Sequence, residues 1–167
     1  MPQAPRPAPS FTEREFRDAM AQLATGVTVI TARASDDTFV GFTANSFNSI
    51  SLEPPLVAWS LSRRSRSLAV FESAQHYCVN VLAHDQVELA RRFSRPHADR
   101  FAGVQYRLGV AGAPLIEGCT AWVECNHHAL HVAGDHMLFL GRVEACGHRK
   151  APPLVWHGGG YGFRAPD

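Results

Sequence analysis

The sequence lacks several features that would point at once to a class of function. Of its 167 residues, 16 are Lys or Arg and 15 are Asp or Glu, so the formal net charge is only +1. Nucleic-acid and membrane-surface proteins carry a basic excess on one face, so we predict neither kind of partner. No apolar run approaches the roughly 18 residues that span a bilayer. The first residues have no apolar segment of the kind found in a secretory signal.

Cysteine is scarce, and several familiar motifs are missing. The four cysteines are widely spread and never form a C-x-x-C pair, which argues against a zinc ribbon or a small disulfide scaffold. Reduced, buried thiols in a cytoplasmic protein fit this pattern better. The chain also has no P-loop, no G-x-G-x-x-G after a strand, no H-E-x-x-H and no G-x-S-x-G.

The remaining composition is typical of a globular protein. Hydrophobic residues make up 46% of the chain and charged residues 19%, which is enough apolar mass for a core. Residues 1–10 contain four prolines and no periodic apolar pattern, so we predict a flexible arm there. Residues 11–167 are expected to form one domain.

The apolar pattern predicts a mainly β fold with short helices. Thr12 and Glu15 have the spacing of a capping box, and the apolar residues that follow predict a helix over 13–25, ended by Gly26. The other segments are two helices, over 67–73 with Ser67 as cap and over 85–93 with Asp85 as cap, and strands over 27–32, 39–44, 56–61, 76–82, 120–132, 136–146 and 154–156. A tight turn over 133–135 joins the two longest strands. Such a series favours a closed or nearly closed barrel over parallel βαβ winding.

Two segments are rich in polar groups that could bind a ligand. Thr43, Asn45 and Ser46 follow a strand and could bond the polar edge of a ring, although such residues are also common at ordinary strand ends. Residues 60–67 contain three arginines and four serines, which suits either an anion site or a solvated basic loop. Residues 91–95 form a second, weaker basic cluster at a predicted helix end.

The histidines are weak candidates for a metal site. His127 and His128 are adjacent on a predicted strand, so their side chains face opposite sides and cannot converge on one ion. His136 follows Asp135 in the predicted hairpin turn, where a histidine beside an acid can hold or relay a proton near neutral pH. The plainer interpretation of His136 is a polar turn residue.

Ten short segments, taken together and in their order along the chain, carry more information than any one of them alone. They are Phe16-Arg-x-Ala-Met20, Ala24-Thr-Gly-Val-Thr-Val29, Thr43-Ala-Asn-Ser-Phe47, Pro54-Pro-Leu-Val57, Arg64-Ser-Arg-Ser67, Val79-Asn-Val-Leu82, Arg92-Phe-Ser94, Asp99-Arg-Phe101, Ala133-Gly-Asp-His136 and Gly160-Tyr161. This order resembles the short-chain flavin reductase family, over about residues 11–163. Arg63-Arg64 and the histidine-rich 127–131 are local variations on the family's pattern.

The resemblance implies an FMN-binding split β-barrel with Greek-key-like connections, usually a homodimer whose subunit interface helps to shape the site. It implies transfer of a hydride from NADH or NADPH to FMN or FAD, after which reduced flavin diffuses to a partner monooxygenase. No side-chain nucleophile or metal ion is needed for such a reaction, because hydride chemistry belongs to the cofactors.

The resemblance also assigns roles by position. The isoalloxazine edge would contact Thr43, Ala44, Asn45 and Ser46, the ring would lie along Ser60 and Leu61, and the ribityl phosphate would lie near Ser65 and Ser67. A second flavin-contacting stretch comprises Arg92, Phe93 and Ser94. His136 would lie near the nicotinamide and the reacting flavin face, with Tyr161 on the nicotinamide side.

Three alternatives stay open at this point. The protein could retain FMN tightly and reduce another acceptor, or it could bind flavin without turnover as a carrier or sensor. A metal-dependent hydrolase that uses the histidines is a third possibility. If flavin is a substrate that must leave, its affinity is expected to be of micromolar order, because very tight binding would limit release.

Overall fold

The computed structural model describes residues 10–96 and 99–163, apart from the side chain of Phe163. Of the predicted arm over 1–10, only Ser10 lies within the described residues. The described residues form three helices and twelve strands: α1 (Glu13–Met20), β1 (Thr25–Gly26), β2 (Thr28–Arg33), β3 (Phe39–Ala44), β4 (Asn48–Leu52), β5 (Pro55–Ser62), α2 (Leu68–Ser73), β6 (His76–Val81), α3 (Val87–Ser94), β7 (Tyr106–Leu108), β8 (Pro114–Ile116), β9 (Ala121–Ala133), β10 (His136–His148), β11 (Leu154–His157) and β12 (Gly160–Phe163). None of the helices in this part of the chain is long and apolar enough to cross a membrane.

A seven-stranded sheet dominates the molecule, in the order β3-β2-β6-β9-β10-β5-β4. Every strand pair in it is antiparallel, so the prediction of a mainly β fold without parallel winding is confirmed. The sheet is not closed by hydrogen bonds, because β3 and β4 remain its two edges. The barrel is therefore split rather than closed. Smaller sheets comprise β1-β11-β12 and β7-β8.

Two apolar clusters hold the fold together. The first lies inside the curved sheet, where Trp59 is fully buried and stacks on Phe139 with ring centroids 4.0 Å apart. The second lies on the outer side of β2, where Val29, Leu82 and Phe93 are buried together. The second cluster fixes α3 against β3, with Ala90 beside Thr43 and the ring of Phe93 against Gly41.

The structure confirms most of the predicted strands and corrects the helix boundaries. The capping box of Thr12 and Glu15 is present, but α1 ends at Met20 rather than at residue 25. Thr25 and Gly26 instead pair with Trp156 and Val155, so tertiary pairing overrides the helical pattern. Ser67 precedes α2 without a side-chain capping bond, and α3 begins after Gln86, so Asp85 is not its cap. The sequence pattern missed β4, β7, β8 and β12.

All four cysteines are free, but they differ in exposure. Cys78, Cys119 and Cys125 are buried as predicted, whereas Cys146 is exposed, so the expectation that all four are buried is wrong for that residue. Cys146 lies on β10 where that strand alternates between half-buried and exposed positions. Burial raises the pKa of Cys119 and of Cys125 to about 12, since a thiolate is poorly solvated there.

Candidate functional site

The carboxyl end of β5 brings several predicted site residues together. Ser60 donates its main-chain N–H to the hydroxyl of Ser46 at 3.0 Å, which ties the end of β3 across the split of the barrel. Two residues further along β5, Ser62 lies opposite His136 of β10. The basic segment 63–67 follows immediately. One strand end therefore positions the polar residues after β3, the hairpin histidine and the basic loop.

A cleft of about 730 Å³ opens beside this strand end, between the basic loop, β3 and the segment after α3. Three of the predicted residues line it, and all three carry hydroxyl groups: Ser65, Ser67 and Ser94. The cleft is also lined by the guanidinium-bearing residues Arg64, Arg66 and Arg100. Hydroxyl and guanidinium groups that converge in this way suit an anionic ligand, above all a phosphate.

Arg100 is a site residue to which the sequence reasoning gave no role. Its Nη1 donates to the main-chain oxygen of Gly41 at 2.6 Å, and its Nε donates to that of Arg95 at 3.1 Å. Burial lowers the pKa of Arg100, but an arginine remains charged at neutral pH. The protein thus holds a cation in fixed position on the cleft wall. The available signal was Asp99-Arg-Phe101, one of the segments that carry the family resemblance.

A smaller hollow of about 230 Å³ lies at the other end of β3. It is lined by Thr43, Asn45 and Tyr161, which were predicted, and by Val27 and Trp156, which were not. The rings of Trp156 and Tyr161 lie at 68° with centroids 4.8 Å apart, between β11, which was predicted over 154–156, and β12, which was not. The Thr43 hydroxyl donates to the main-chain oxygen of Ala90 at 2.7 Å, which anchors β3 to α3.

Seven predicted residues line neither cavity: Ala44, Ser46, Ser60, Leu61, Arg92, Phe93 and His136. Ala44, Leu61 and Phe93 are buried, with Phe93 only 1% exposed and its ring against the Cα of Gly41. Any ligand contact of these three residues would have to use main-chain groups. Arg92 is exposed, and its Nη1 donates to the main-chain oxygen of Ala102 at 2.6 Å, so this side chain braces the segment that follows α3.

His136 lies at the tip of the β9–β10 hairpin and is held by its neighbours. Its Nδ1 lies 2.8 Å from Oδ1 of Asp135, and its side chain is 43% exposed. The hydrogen bond to His136 keeps the pKa of Asp135 below its usual value, and the charge of nearby Arg64 acts in the same direction. The main-chain N–H of Arg63 donates to the oxygen of Asp135 at 2.9 Å, which ties the turn to the basic loop.

Two of the other described histidines, His127 and His76, have separate sets of contacts. His127 packs its ring against Phe139, while His76 contacts Glu144 and Asn126 on another face. Within residues 10–96 and 99–163, no three His, Cys, Asp or Glu side chains are arranged as metal ligands.

Comparison with known sequences gives a consistent result over most of the chain. Residues 20–163 match the family described as flavin reductase like domain. A probable flavin reductase of Rhizobium meliloti is 42% identical over 151 residues, which cover 90% of this chain and 49% of that protein. This chain thus spans about half the length of that relative. The reductase subunit HsaB of a flavin-dependent monooxygenase from Mycobacterium tuberculosis is 40% identical over 157 residues, covering 92% of this chain and 83% of the subunit.

Comparison with solved structures supports the same fold. An NADH:FAD oxidoreductase of Streptomyces globisporus, solved in complex with NAD and FAD fragments, superposes with a TM-score of 0.88 at 36% sequence identity. The match covers 93% of this chain and 94% of that structure.

Proposed function

This chain belongs to the family of flavin reductase like domains, and we therefore propose that it transfers a hydride from NADH or NADPH to FMN or FAD. In this proposal the reduced flavin then leaves to supply a separate monooxygenase. The observation that carries the proposal is the end of β5, where polar groups suited to a ring edge, a phosphate-type cleft and a hairpin histidine lie together.

The donor set of the cleft fits the phosphate end of a flavin. The hydroxyl groups of Ser65 and Ser67 and the flanking arginines provide neutral and charged donors. The Ser94 hydroxyl donates to the main-chain oxygen of Arg91 at 2.8 Å, so its contact with a ligand would require that hydrogen bond to break. When bound, the flavin supplies the ring that accepts the hydride, so the protein has to bind, orient and exclude water. We assign the phosphate to this cleft.

The residues after β3 are proposed to contact the edge of the ring. Asn45 and Ser46 are exposed and Thr43 is half-buried, and together with the main chain of Ala44 they offer amide and hydroxyl groups. Donors aimed at the ring edge stabilise the negative charge that develops on reduction. Ser60 and the main chain of Leu61 would line the ring, and Arg92 and the main chain of Phe93 would support the opposite side.

His136 and Tyr161 are proposed to border the nicotinamide. The contact with Asp135 orients the imidazole of His136, so this group is placed to hold or relay a proton beside the reacting centre. Tyr161 is half-buried in the smaller hollow together with Asn45, so its phenol lies near the carboxyl end of β3. Positioning of the two reactants accounts for most of the acceleration in such a site.

The proposed activity is tested by mixing the purified protein with NADH or NADPH and with FMN or FAD, in all four combinations. We expect nicotinamide oxidation that saturates with added free flavin, and a flavin Kd of micromolar order. Absence of oxidation in every combination would refute the proposed activity. A stoichiometric flavin that survives extensive dialysis would instead favour the retained-FMN alternative.

We further propose a cytoplasmic homodimer formed by one domain over residues 11–167, preceded by an arm over 1–10. The four unpaired thiols support a reducing compartment. The apolar residues of α1 and of the segment after it support association, because Phe16, Met20 and Leu23 are each more than half exposed. Light scattering at two protein concentrations measures the mass, and a monomer at both would contradict the dimer.

A further inference from the structure

A further hollow, of about 820 Å³, lies on the outer face of β6, β9 and β10. Tyr77 and Cys125 alternate with its lining residues along β6 and β9 and belong to the apolar cluster inside the sheet, so His76, Glu124 and Asn126 point outwards. None of its described lining residues lines the cleft after β5 or the smaller hollow at the end of β3. The proposed function gives no role to this outer hollow.

The register of the strands places residues of the outer hollow in two rows. His76 lies opposite Asn126, which lies opposite Arg142, so that one residue from each strand forms the first row. Two residues back along β9, Glu124 lies opposite Ala145 and forms the second row. Residues paired in this way share a face of the sheet, and rows two residues apart along a strand are about 7 Å apart. A single small molecule can therefore contact both rows.

The second row contains a buried carboxylate. Glu124 is only 6% exposed, and its Oε2 accepts from the main-chain N–H of Val110 at 2.6 Å. Its Oε1 accepts from no donor in the part of the chain that the structure describes, yet it is not one of the fully enclosed atoms that lack a partner, so it faces the outer hollow. Removing a carboxylate from water is costly unless its oxygens are hydrogen-bonded. The free oxygen therefore favours a ligand with N–H donors, such as an ammonium group.

The exposed side of the outer hollow carries charges of both signs. The carboxylate of Glu144 is 46% exposed, and its Oε2 lies 3.4 Å from Nε2 of His76. Arg142 is exposed, and it forms no ion pair with any described residue. Carboxylates accept hydrogen bonds from an ammonium group, whereas a guanidinium group donates two parallel hydrogen bonds to a carboxylate. The lining thus matches a zwitterion, and Val110 and Val143 offer apolar contact area beside it.

We propose that the outer hollow binds a free amino acid with an apolar side chain. The ammonium group of this ligand donates to Glu124 and Glu144, its carboxylate accepts from Arg142, and its side chain lies against Val110 and Val143. The inference does not rest on the proposed function, because the outer hollow shares no described residue with the proposed flavin and nicotinamide positions.

The direct test is calorimetric titration of L-leucine into the full-length protein. We expect saturable binding with a Kd of about 1 mM or lower. N-acetyl-L-leucine lacks the ammonium group and L-leucinamide lacks the carboxylate, so each should bind at least about tenfold more weakly. No saturable binding of L-leucine at millimolar concentration would overturn the proposal. Binding of L-leucinamide as tight as that of L-leucine would also overturn it, since the ligand would then be a simple amine or the amino terminus of a peptide.

Substitutions at the two exposed charges locate the binding. Arg142→Gln should weaken L-leucine about tenfold and leave the weak binding of L-leucinamide unchanged, whereas Glu144→Gln should weaken both ligands. Arg14→Gln, a matched change at an exposed arginine of α1, should alter the Kd for L-leucine less than twofold. Circular dichroism spectra check that the three variants keep the fold. Unchanged L-leucine binding in both Arg142→Gln and Glu144→Gln, or equal weakening by Arg14→Gln and Arg142→Gln, would refute the site.

Discussion

At the scale of single residues, Gly141 shows how closely the barrel interior is packed. A Cβ atom added at Gly141 would lie 2.8 Å from Cζ of Tyr77 and 3.1 Å from Cβ of Cys125. The Tyr77 hydroxyl is buried there and has no hydrogen-bond partner among the described residues. A hydroxyl group without a hydrogen-bond partner in the interior costs free energy. The close packing of the Tyr77 ring against Gly141, rather than a hydrogen bond, therefore favours this position of the side chain.

Gly141→Ala is therefore expected to lower the free energy of unfolding by about 1–3 kcal/mol, as overpacking does in other cores. Adding Tyr77→Phe should recover part of the loss, because it removes the oxygen nearest the new methyl group. Urea denaturation measures both, with Gly26→Ala as the control, since no atom lies within 4 Å of a Cβ at Gly26. Equal stability of Gly141→Ala and wild type would contradict the prediction and would show that β10 shifts far enough from Tyr77 to accommodate the methyl group.

His136→Ala is expected to reduce the rate of NADH oxidation while changing flavin affinity only modestly. The reason is that His136 lies at the hairpin tip, is positioned by Asp135 and does not line the phosphate-type cleft. The kcat and the flavin Kd are measured together. Asp135→Asn is a useful companion, because it keeps the turn but weakens the contact that orients the imidazole. Unchanged kcat in His136→Ala would remove this histidine from the mechanism.

Ser67→Asp is expected to weaken FMN binding by at least about tenfold, because it places a negative charge beside the proposed phosphate position. Ser73→Asp is the matched control, since it adds the same charge at the far end of α2. Fluorescence titration of FMN gives both Kd values. If the two substitutions have the same effect, the phosphate binds elsewhere.

At the scale of elements, α1 depends on its cap more than on packing. None of its residues is buried, so little tertiary contact stabilises it. Thr12 donates to and accepts from Glu15, and these hydrogen bonds hold the pKa of Glu15 below its usual value. A depressed carboxyl pKa means that the contribution of the cap is present at neutral pH and is lost as the pH falls through that value.

Thr12→Ala should therefore speed amide hydrogen exchange in α1 several-fold and raise the pKa of Glu15 towards 4.5. NMR measures both quantities in one sample. Thr12→Ser keeps the hydroxyl and should preserve both values. Unchanged exchange in Thr12→Ala would show that something other than the capping box holds the helix.

The elements also show what the sequence can and cannot predict. The long hairpin was predictable because its strands are long and its turn contains Gly134, which adopts a positive φ of 63°. The ends of α1 and α3 were not predictable, because Thr25 pairs with a strand more than 100 residues later and Gln86 replaces Asp85 at the cap. The strand β4 was not predicted because it is only five residues long and its alternation is limited to Ile50 and Leu52, both of which are exposed in the structure.

In the candidate site too, residues in recognisable sequence segments were predictable, whereas contacts that depend on the folded chain were not. Ser65, Ser67 and Ser94 were identified by the family resemblance, and the structure brings them to one cleft. Trp156 belongs to none of the segments that carry the resemblance, and Arg100 belongs to one of them, Asp99-Arg-Phe101, but nothing in that segment shows which group its side chain contacts. Their places depend on β12 and on the Gly41 carbonyl group, which only the folded chain supplies.

At the scale of the whole molecule, the distribution of thiols predicts both reactivity and pH dependence. Cys146 is exposed, whereas burial raises the pKa of Cys78, Cys119 and Cys125 and keeps these thiols protonated. In the native protein, we expect one thiol to react rapidly with an aromatic disulfide reagent and three to react only on unfolding. Rapid reaction of two or more would contradict the described burial.

The same thiols set the direction of stability at alkaline pH. Unfolded cysteines ionise near 9, but Cys119 and Cys125 ionise only near 12 in the folded protein. Between these values the unfolded state binds fewer protons, so the free energy of unfolding falls as pH rises from about 9 to 12. Urea midpoints measured across this range test the trend, and Cys119→Ala should flatten it. A midpoint that rises with pH would contradict the sign.

The end of β5 places the residues proposed for the ring edge, the histidine turn and the arginine loop, so the strands that form the scaffold are separate from the loops proposed to bind the nucleotide. A slip of one residue between β5 and β10 would displace all three at once. Directed evolution of cofactor preference should therefore diversify residues 63–67 and 99–102 and leave the strand untouched. Libraries built in this way would trade one dinucleotide for another at little cost in folding yield.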